Sequence, residues 1–197
     1  MGPQIYLASR SPRRQELLRQ VGVRFEALPA DVPERRQAGQ APADYALAMA
    51  LAKARAARAA APQRLPVLGA DTDVVVDDEI LGKPAGRDQA LAMLARLSGR
   101  THEVFSSVAV VLDGRAETAL SVTRVSFGAI TPAQARAYWD TGEPADKAGA
   151  YAIQGFGAQF VREIHGSYSG VVGLPLYETL ELLGRFGIAP HPGPLPA

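Results

Sequence analysis

Two adjacent arginines, Arg13 and Arg14, occupy a position that suggests phosphate chemistry. They follow Ser11-Pro12, where Ser can cap a helix and Pro suits its first turn. The positive end of the helix dipole disfavours cations, although an arginine pair on a helix is most often solvated surface. The pair becomes favourable when an anion binds among the backbone N–H groups and both guanidinium groups. We therefore predict a phosphate-binding site at residues 11–14.

Two aspartates, Asp71 and Asp73, follow the apolar run at residues 65–70, which is typical of a buried strand. We expect a corner at residues 69–71, which would place Asp71 at the carboxyl end of that strand. In open α/β sheets, ligands bind at this end. Burial of a carboxylate is costly without a partner or a metal. We therefore predict that Asp71 is functional, whereas Asp73 is either a second ligand or an ordinary turn residue.

Four further polar residues lie within predicted elements or in loops. Each of them could also be an ordinary surface or loop residue without a role in binding. Lys53 lies in an alanine-rich helix, where composition alone favours a surface position. Glu34 lies in a proline-broken loop and is most often a simple loop charge. Lys83 precedes a proline, and Gln154 stands beside a glycine in a loop. Only their combination with the arginines and Asp71 suggests a common site.

Several well-known motifs are excluded. The Gly-Lys of LGKP lacks the upstream glycine and the hydroxyl residue of a phosphate-binding P-loop, and GFGAQF lacks the third glycine of a dinucleotide fingerprint. The aspartate-rich segment 71–80 lacks the third ligand and the glycine of an EF-hand. The three histidines have no metal-ligand spacing. The sequence has no cysteine, which excludes disulfides and thiolate metal sites.

The elements that must position these residues indicate an α/β protein with a mixed sheet flanked by helices. We predict a strand at 4–9, an alanine-rich helix at 41–62 and a closing helix at 176–187. Two long strands span 102–130 and join at Asp113-Gly114. Strands and helices alternate early in the chain, and the long hairpin follows them.

Length and composition favour one globular domain. The chain has 197 residues, 47% of them hydrophobic and 21% charged, with a formal net charge of +1. This balance gives no global field suited to nucleic acid or membranes. The N-terminus lacks the pattern of a signal peptide, so we expect a cytoplasmic protein. We assign one domain to 1–188 and expect a flexible tail at 189–197.

Over nearly its whole length the sequence resembles the Maf family, bacterial septum-formation proteins that act as nucleoside triphosphate pyrophosphatases. The shared motifs are LASRSPRRQELL, LAKA, GADT, GKP, LSGRTHEV, DKAGAYAIQG and IHGSYSGVVGLPL. The resemblance implies an elongated, two-lobed fold with a central cleft, related to the inosine triphosphate pyrophosphatases, and a homodimer. The last two motifs are similar to those of the dTTP/UTP subgroup. Arg13 stands where the 7-methyl-GTP subgroup typically has Trp.

The resemblance also implies roles for individual residues. Asp71 matches the catalytic carboxylate, and Arg13, Thr72 and Gln154 match positions linked to substrate choice. The other implied substrate-binding residues are Ser9, Arg14, Glu34, Lys53 and Lys83. Oxygen ligands from Asp71 and Glu34 would suit Mg²⁺ or Mn²⁺. Arg10 stands where relatives often carry a small residue, and we expect it to point outward.

These assignments imply attack of water on the α-phosphorus of dTTP or UTP, which releases pyrophosphate. Asp71 would either accept a proton from the water or hold the metal ion. One alternative is a nucleotide-binding regulator of septum formation that performs no turnover. Another is a pyrophosphatase for other, modified nucleotides.

Overall fold

The computed structural model describes residues 2–190, and positions 191–197 of the predicted tail lie outside the described residues. The described strands and helices follow the order expected for a mixed α/β protein. The strands are β1 (Ile5–Leu7), β2 (Phe25–Ala27), β3 (Val67–Val76), β4 (Glu79–Leu81), β5 (Thr101–Leu112), β6 (Arg115–Phe127) and β7 (Val161–His165). The α-helices are α1 (Pro12–Gln20), α2 (Pro42–Ala60), α3 (Arg87–Leu97), α4 (Pro132–Asp140), α5 (Tyr168–Val172) and α6 (Leu176–Arg185).

Within residues 2–190, seven strands form one mixed sheet in the order β2-β1-β3-β5-β6-β7, with β4 paired to β3. The first three strands of that order are parallel, and the rest of the ladder is antiparallel. The predicted long hairpin is confirmed, with Asp113 at φ 49° and Gly114 at φ 84° in its turn. Such positive φ values match the right-handed twist of hairpin strands.

One edge of β3 is only partly covered. β5 pairs with β3 from Val67 to Val75 on one side. On the other side, β1 is in register with residues 67 and 68, and β4 pairs only with residues 74 to 76. Among the described residues, no strand pairs with the segment between them, 69–73. The sheet therefore opens at this segment.

The expected corner at residues 69–71 is wrong, because β3 runs without interruption from Val67 to Val76. Asp71 lies in the middle of this strand, opposite Ser107 of β5. It nevertheless borders open space, because the neighbouring strand β1 ends at Leu7. Hence the opening is created by the end of a neighbour rather than by the end of the aspartate's own strand.

Helix α2 packs against β3 with very close contact between the two backbones. A Cβ added to Gly69 would lie 2.2 Å from the carbonyl oxygen of Ala50 and 2.7 Å from the backbone nitrogen of Ala54. Only glycine permits this approach. Successive side chains of a strand alternate between its faces, so Asp71 projects toward the same face as position 69. Helix α2 is therefore brought directly over Asp71.

The hydrophobic core flanks the open segment on both sides. One cluster packs α3 and α4 against the sheet and includes Leu94 and Phe127. A second cluster packs α1 and α6 around Leu18 and Leu68. No helix among residues 2–190 combines the length and the apolar character that a membrane crossing requires.

A buried histidine that packs edge-on against Phe127 of the first cluster predicts acid sensitivity. His102 is 2% exposed, and its Nε2 lies 2.8 Å from the Tyr151 hydroxyl. Burial lowers the pKa of His102 to about 4. The unfolded chain therefore binds a proton as pH falls below about 6.5, while the folded protein does not. We expect His102 to reduce the free energy of unfolding by about 3 kcal/mol between pH 7.5 and pH 4.

Urea unfolding of the wild type and of His102→Gln across this pH range measures the contribution. The Gln variant should lose less stability on acidification than the wild type. The exposed His165 provides the control, and His165→Gln should keep the wild-type slope. Equal slopes for the wild type and His102→Gln would contradict the assignment.

Candidate active site

A cleft with a volume of about 480 Å³ opens where the edge of β3 is uncovered. It is lined by the N-terminal end of α1, the middle of β3 and the glycine-rich segment that follows α4. All nine residues predicted from the sequence line this cleft: Ser9, Arg13, Arg14, Glu34, Lys53, Asp71, Thr72, Lys83 and Gln154. The structure thus brings together residues that are up to 145 positions apart in the chain. Their individual roles stay predictions.

A lysine joins two carboxylates at the floor of the cleft. The Lys53 ammonium lies 2.6 Å from Asp71 Oδ1 and 2.7 Å from Glu34 Oε1. The side chains of Lys53 and Asp71 are only 14% and 11% exposed. Burial alone would lower the pKa of Lys53, but the two carboxylates outweigh it and hold the pKa above its ordinary value. The interpretation from composition, which placed Lys53 on the surface, is therefore wrong.

A second carboxylate, Asp73, lies beside Asp71 on the same face of β3. Its Oδ2 is buried without a hydrogen-bond partner among residues 2–190. Burial and the negative charge of Asp71 raise the pKa of Asp73 above its ordinary range. The site therefore disfavours a negative charge on both aspartates at once unless a further cation binds, and carboxylate oxygens are the ligands that hard divalent cations prefer. The residues fit such a cation.

The described residues alone do not complete a metal centre. Within 2–190, no group of three or more His, Cys, Asp and Glu side chains is arranged to hold a metal ion. Glu34 reaches Asp71 through the Lys53 ammonium. A cation bound at the two aspartates would thus need oxygen atoms from another source to fill its coordination shell.

Arg14 is held by three contacts across the cleft. Its Nε donates to the Gly173 carbonyl at 2.8 Å, and its two terminal nitrogens donate to Ser9 Oγ and Thr72 Oγ1 at 3.3 and 3.2 Å. Burial lowers the pKa of Arg14 from its ordinary value. Because a guanidinium carries five N–H donors, two stay available for a ligand. The Thr72 hydroxyl donates to Gly173, so it has no proton left to donate to a bound base.

Arg13 lies at the start of α1 and faces the glycine-rich segment across the cleft. Its Nη1 is 3.8 Å from Asp146 Oδ2, and Asp146 also contacts Lys147. Ser11 caps the helix by accepting from the Arg14 backbone nitrogen. Lys83 and Lys147 line the cleft as well. These four cations therefore line one cleft together with a helix N-terminus, an arrangement suited to a polyanion.

Arg10 is the remaining arginine of the first motif and lies at the rim of the cleft. Its guanidinium pairs with the Asp31 carboxylate through two contacts, at 2.9 and 3.3 Å. The Arg10 and Asp31 side chains are 69% and 83% exposed. The expectation that Arg10 points outward is therefore confirmed, and screening by water makes such a pair worth little for stability.

Gln154 lies in the turn that closes the opposite end of the cleft. It lines the cavity and is exposed, and its neighbours Tyr151, Ala152 and Ile153 are buried in the cleft wall. The side-chain amide offers one acceptor and two donors. An amide presented in this way can form a paired set of hydrogen bonds with a ring that carries both donors and acceptors.

Comparisons with known proteins agree over nearly the whole chain. The family model described as Maf-like protein matches residues 4–186. The dTTP/UTP pyrophosphatase of Saccharophagus degradans is 52% identical over 187 residues, which cover 93% of this chain and 89% of the relative. Relatives of the same name from Methylobacillus flagellatus and Xanthomonas axonopodis pv. citri are also 52% identical, and cover 94% and 93% of this chain and 94% and 98% of their own lengths. Among solved structures, the Staphylococcus aureus Ham1 protein aligns with 92% of this chain and 96% of its own, at 16% identity and a TM-score of 0.48.

Proposed function

The chain belongs to the Maf family, and from this premise we propose that it hydrolyses dTTP and UTP to the monophosphate and pyrophosphate. Relatives about 50% identical to it carry the name dTTP/UTP pyrophosphatase. The observation that carries the proposal is the largely buried Asp71–Lys53 pair, joined by the exposed Glu34, beside an arginine-bearing helix N-terminus. The enzyme is a hydrolase of nucleoside triphosphates and removes them from the nucleotide pool.

In this reaction a water molecule attacks the α-phosphorus, and the bond from that phosphorus to the bridging oxygen breaks. Pyrophosphate leaves with the bridging oxygen. Phosphoryl transfer depends mostly on positioning and on stabilisation of charge. Arg13, Arg14, Lys53 and Lys83 supply positive charge for the triphosphate, and the α1 N-terminus adds backbone donors. This pairing explains why cations stand at the positive end of a helix dipole.

Asp71 acts on the attacking water in this proposal. Lys53 donates to Oδ1 and so fixes the orientation of the carboxylate, and the second oxygen either accepts the water's proton or holds the metal ion. A Mg²⁺ or Mn²⁺ ion held by Asp71, with Asp73 or Glu34 as its partner, would neutralise charge on the phosphates. The carboxylate set fits that ion, and triphosphate oxygens would complete its shell.

The base is read by Gln154. Uracil and thymine present an N3–H donor between two carbonyl acceptors, so one amide side chain can pair with the N–H and one carbonyl together. Cytosine has an acceptor at N3 and a donor at N4. With the Gln154 amide in the orientation that pairs with uracil, binding cytosine would leave polar groups unpaired, at about 1–3 kcal/mol each. CTP should therefore be a poor substrate.

Pyrophosphate release from dTTP, UTP, CTP and 7-methyl-GTP, measured with Mg²⁺ or Mn²⁺ present, tests the proposed function. We expect dTTP and UTP to be good substrates and the other two to be poor. Release from none of the four would overturn the proposal and favour the non-catalytic regulator. Preferential release from 7-methyl-GTP would favour a pyrophosphatase for modified nucleotides.

Replacement of Gln154 by Ala should lower the ratio of kcat/KM for UTP to that for CTP by about tenfold or more. The physical reason is the loss of the paired hydrogen bonds to N3–H and a carbonyl. Gln159→Ala is the matched control, because Gln159 is exposed and donates to the Phe156 carbonyl outside the cleft. A ratio that is unchanged in Gln154→Ala would show that another group reads the base.

We further propose that the protein is a homodimer and that it acts in the cytoplasm, where free nucleoside triphosphates are found. Sedimentation of the purified protein measures its mass in solution. A dimer is expected to sediment as about twice the 20.8 kDa of one chain.

A further inference from the structure

The loop that carries Gln154 is fastened from outside the cleft by two side chains, Tyr138 and Glu143. Tyr138 is buried near the C-terminal end of α4, and Glu143 is the first residue of the short 3-10 helix Glu143–Asp146. The Tyr138 hydroxyl donates to Glu143 Oε1 at 2.5 Å and accepts from the Ala152 backbone nitrogen at 3.1 Å. We refer to Tyr138 and Glu143 together as the loop anchor.

The carboxylate of the loop anchor holds the far side of the same loop. Glu143 Oε2 accepts from the Phe156 backbone nitrogen at 2.8 Å, and Oε1 accepts from the Gly157 backbone nitrogen at 3.0 Å. The anchor thus fixes the backbone of residues 152, 156 and 157. These positions bracket Gln154 on both sides, so they determine where its side chain starts.

Two glycines make this fastening possible. A Cβ at Gly155 would lie 2.0 Å from Glu143 Oε2, and a Cβ at Gly157 would lie 2.6 Å from the Tyr138 hydroxyl oxygen. Side chains at either position would therefore displace the anchor. This contact explains the Gly-Phe-Gly motif, which lacks the third glycine of a dinucleotide-binding sequence. The glycines admit a carboxylate and a phenol rather than a phosphate.

The hydrogen bonds to the Glu143 carboxylate stabilise its charged form. Burial would raise the pKa of Glu143, but donation from Tyr138, Gly157 and Phe156 outweighs it and lowers the pKa. Hydrogen bonds to a charged acceptor are stronger than those between neutral groups. Neither anchor residue lines the cleft, so the anchor meets neither the phosphates nor the reacting atoms.

We propose that Glu143, together with Tyr138, is a positioning residue for base selection, which holds the 152–157 loop so that Gln154 meets the pyrimidine. This inference rests on the proposed function and deepens it. The anchor acts through Gln154, so its loss weakens discrimination among bases. Binding of the triphosphate is unaffected, because the hydrogen bonds of the anchor involve none of the proposed phosphate-binding residues Arg13, Arg14, Lys53 and Lys83.

The test compares Glu143→Gln and Tyr138→Phe with the wild type. Both substitutions keep side-chain size, and each removes part of the hydrogen-bond set. We expect the ratio of kcat/KM for UTP to that for CTP to fall about tenfold in Glu143→Gln, mainly through a higher KM for UTP. Tyr138→Phe should show a smaller fall, because Glu143 keeps its two backbone donors. Glu181→Gln, on the exposed face of α6, is the control and should match the wild type.

Inhibition by inorganic tripolyphosphate separates positioning from general damage, because this probe has no base. Its inhibition constant should stay within about twofold of wild type in both anchor variants, since the phosphate-binding residues are unchanged. In a Gln154→Ala background, Glu143→Gln should cause no further loss of selectivity, because the two changes act on one interaction. Weakened tripolyphosphate inhibition in parallel with weakened UTP hydrolysis would overturn the inference.

Unchanged UTP/CTP selectivity in folded Glu143→Gln would overturn the inference as well. Circular dichroism establishes whether each variant is folded, and if Glu143→Gln is not, Tyr138→Phe decides by the same two measurements. Failure of the proposed function gives a different result, since wild-type protein would then release no pyrophosphate from UTP. If the wild type is active and selective and the anchor variants are equally selective, only the inference about the anchor is overturned, and the proposed function stands.

Discussion

An Asp71→Asn variant should release pyrophosphate from dTTP about 10²–10⁴-fold more slowly than the wild type. Asn has nearly the same shape as Asp, but its amide can neither accept the water's proton nor hold a cation as well. The Lys53 ammonium could still donate to the amide oxygen, so the floor of the cleft should keep its arrangement. The loss should appear in kcat rather than in KM, because in the proposed mechanism Asp71 acts on the attacking water.

Steady-state kinetics with dTTP, together with circular dichroism to establish folding, measures this effect. Asp88→Asn is the control, because Asp88 lies in the exposed first turn of α3, away from the cleft. It should keep wild-type kcat. Near-normal kcat in folded Asp71→Asn would remove Asp71 from the chemistry and with it the central element of the mechanism.

Replacement of Lys53 by Met should damage both stability and turnover. Met keeps most of the length of the side chain but removes the ammonium that joins Asp71 and Glu34. Removal of one partner from a buried ion pair leaves an uncompensated charge, which costs about 3 kcal/mol. Turnover falls as well, because the Asp71 carboxylate loses the hydrogen bond that orients it and the triphosphate loses a cation.

Urea unfolding at pH 7 measures the stability change, and kcat/KM for dTTP measures the catalytic change. Arg55→Met provides a matched control two residues further along α2, where the side chain is exposed. It should change neither quantity appreciably. If Lys53→Met were as stable as Arg55→Met, the buried ion pair would have to be abandoned as an element of the site.

The local features of the fold were predictable from the sequence because they depend on neighbouring residues. The Ser11-Pro12 helix start, the turn at Asp113-Gly114 and the ends of α2 all follow from capping, positive φ and proline. The position of Asp71 shows what local patterns miss. It follows from where β1 ends and β4 begins along the edge of β3, and the pairing of β1 with β3 joins residues about 60 positions apart.

The site residues divide in the same way. The arginine pair carried its own physical signal, since cations at a helix N-terminus are disfavoured by the dipole and become favourable when an anion binds. Lys53 carried none, because its burial depends on how closely α2 approaches β3. The sequence around Glu143 gave no indication that this residue holds the loop. The two glycines at 155 and 157 were the only indication that the chain packs tightly there, and the sequence does not say against what.

Gly69 makes the position of the floor of the cleft resistant to gradual evolutionary change. Every amino acid other than glycine has a Cβ, and here that atom would fall 2.2 Å from the Ala50 carbonyl oxygen. Every single replacement of Gly69 would therefore cause this clash, and no replacement makes a second one at the same position easier to accommodate. A lineage could enlarge this residue only after α2 had moved, yet any such movement carries Lys53 away from Asp71. Divergence in this architecture is consequently easier in the 152–157 loop, where we propose that Gln154 selects the base, than at the floor.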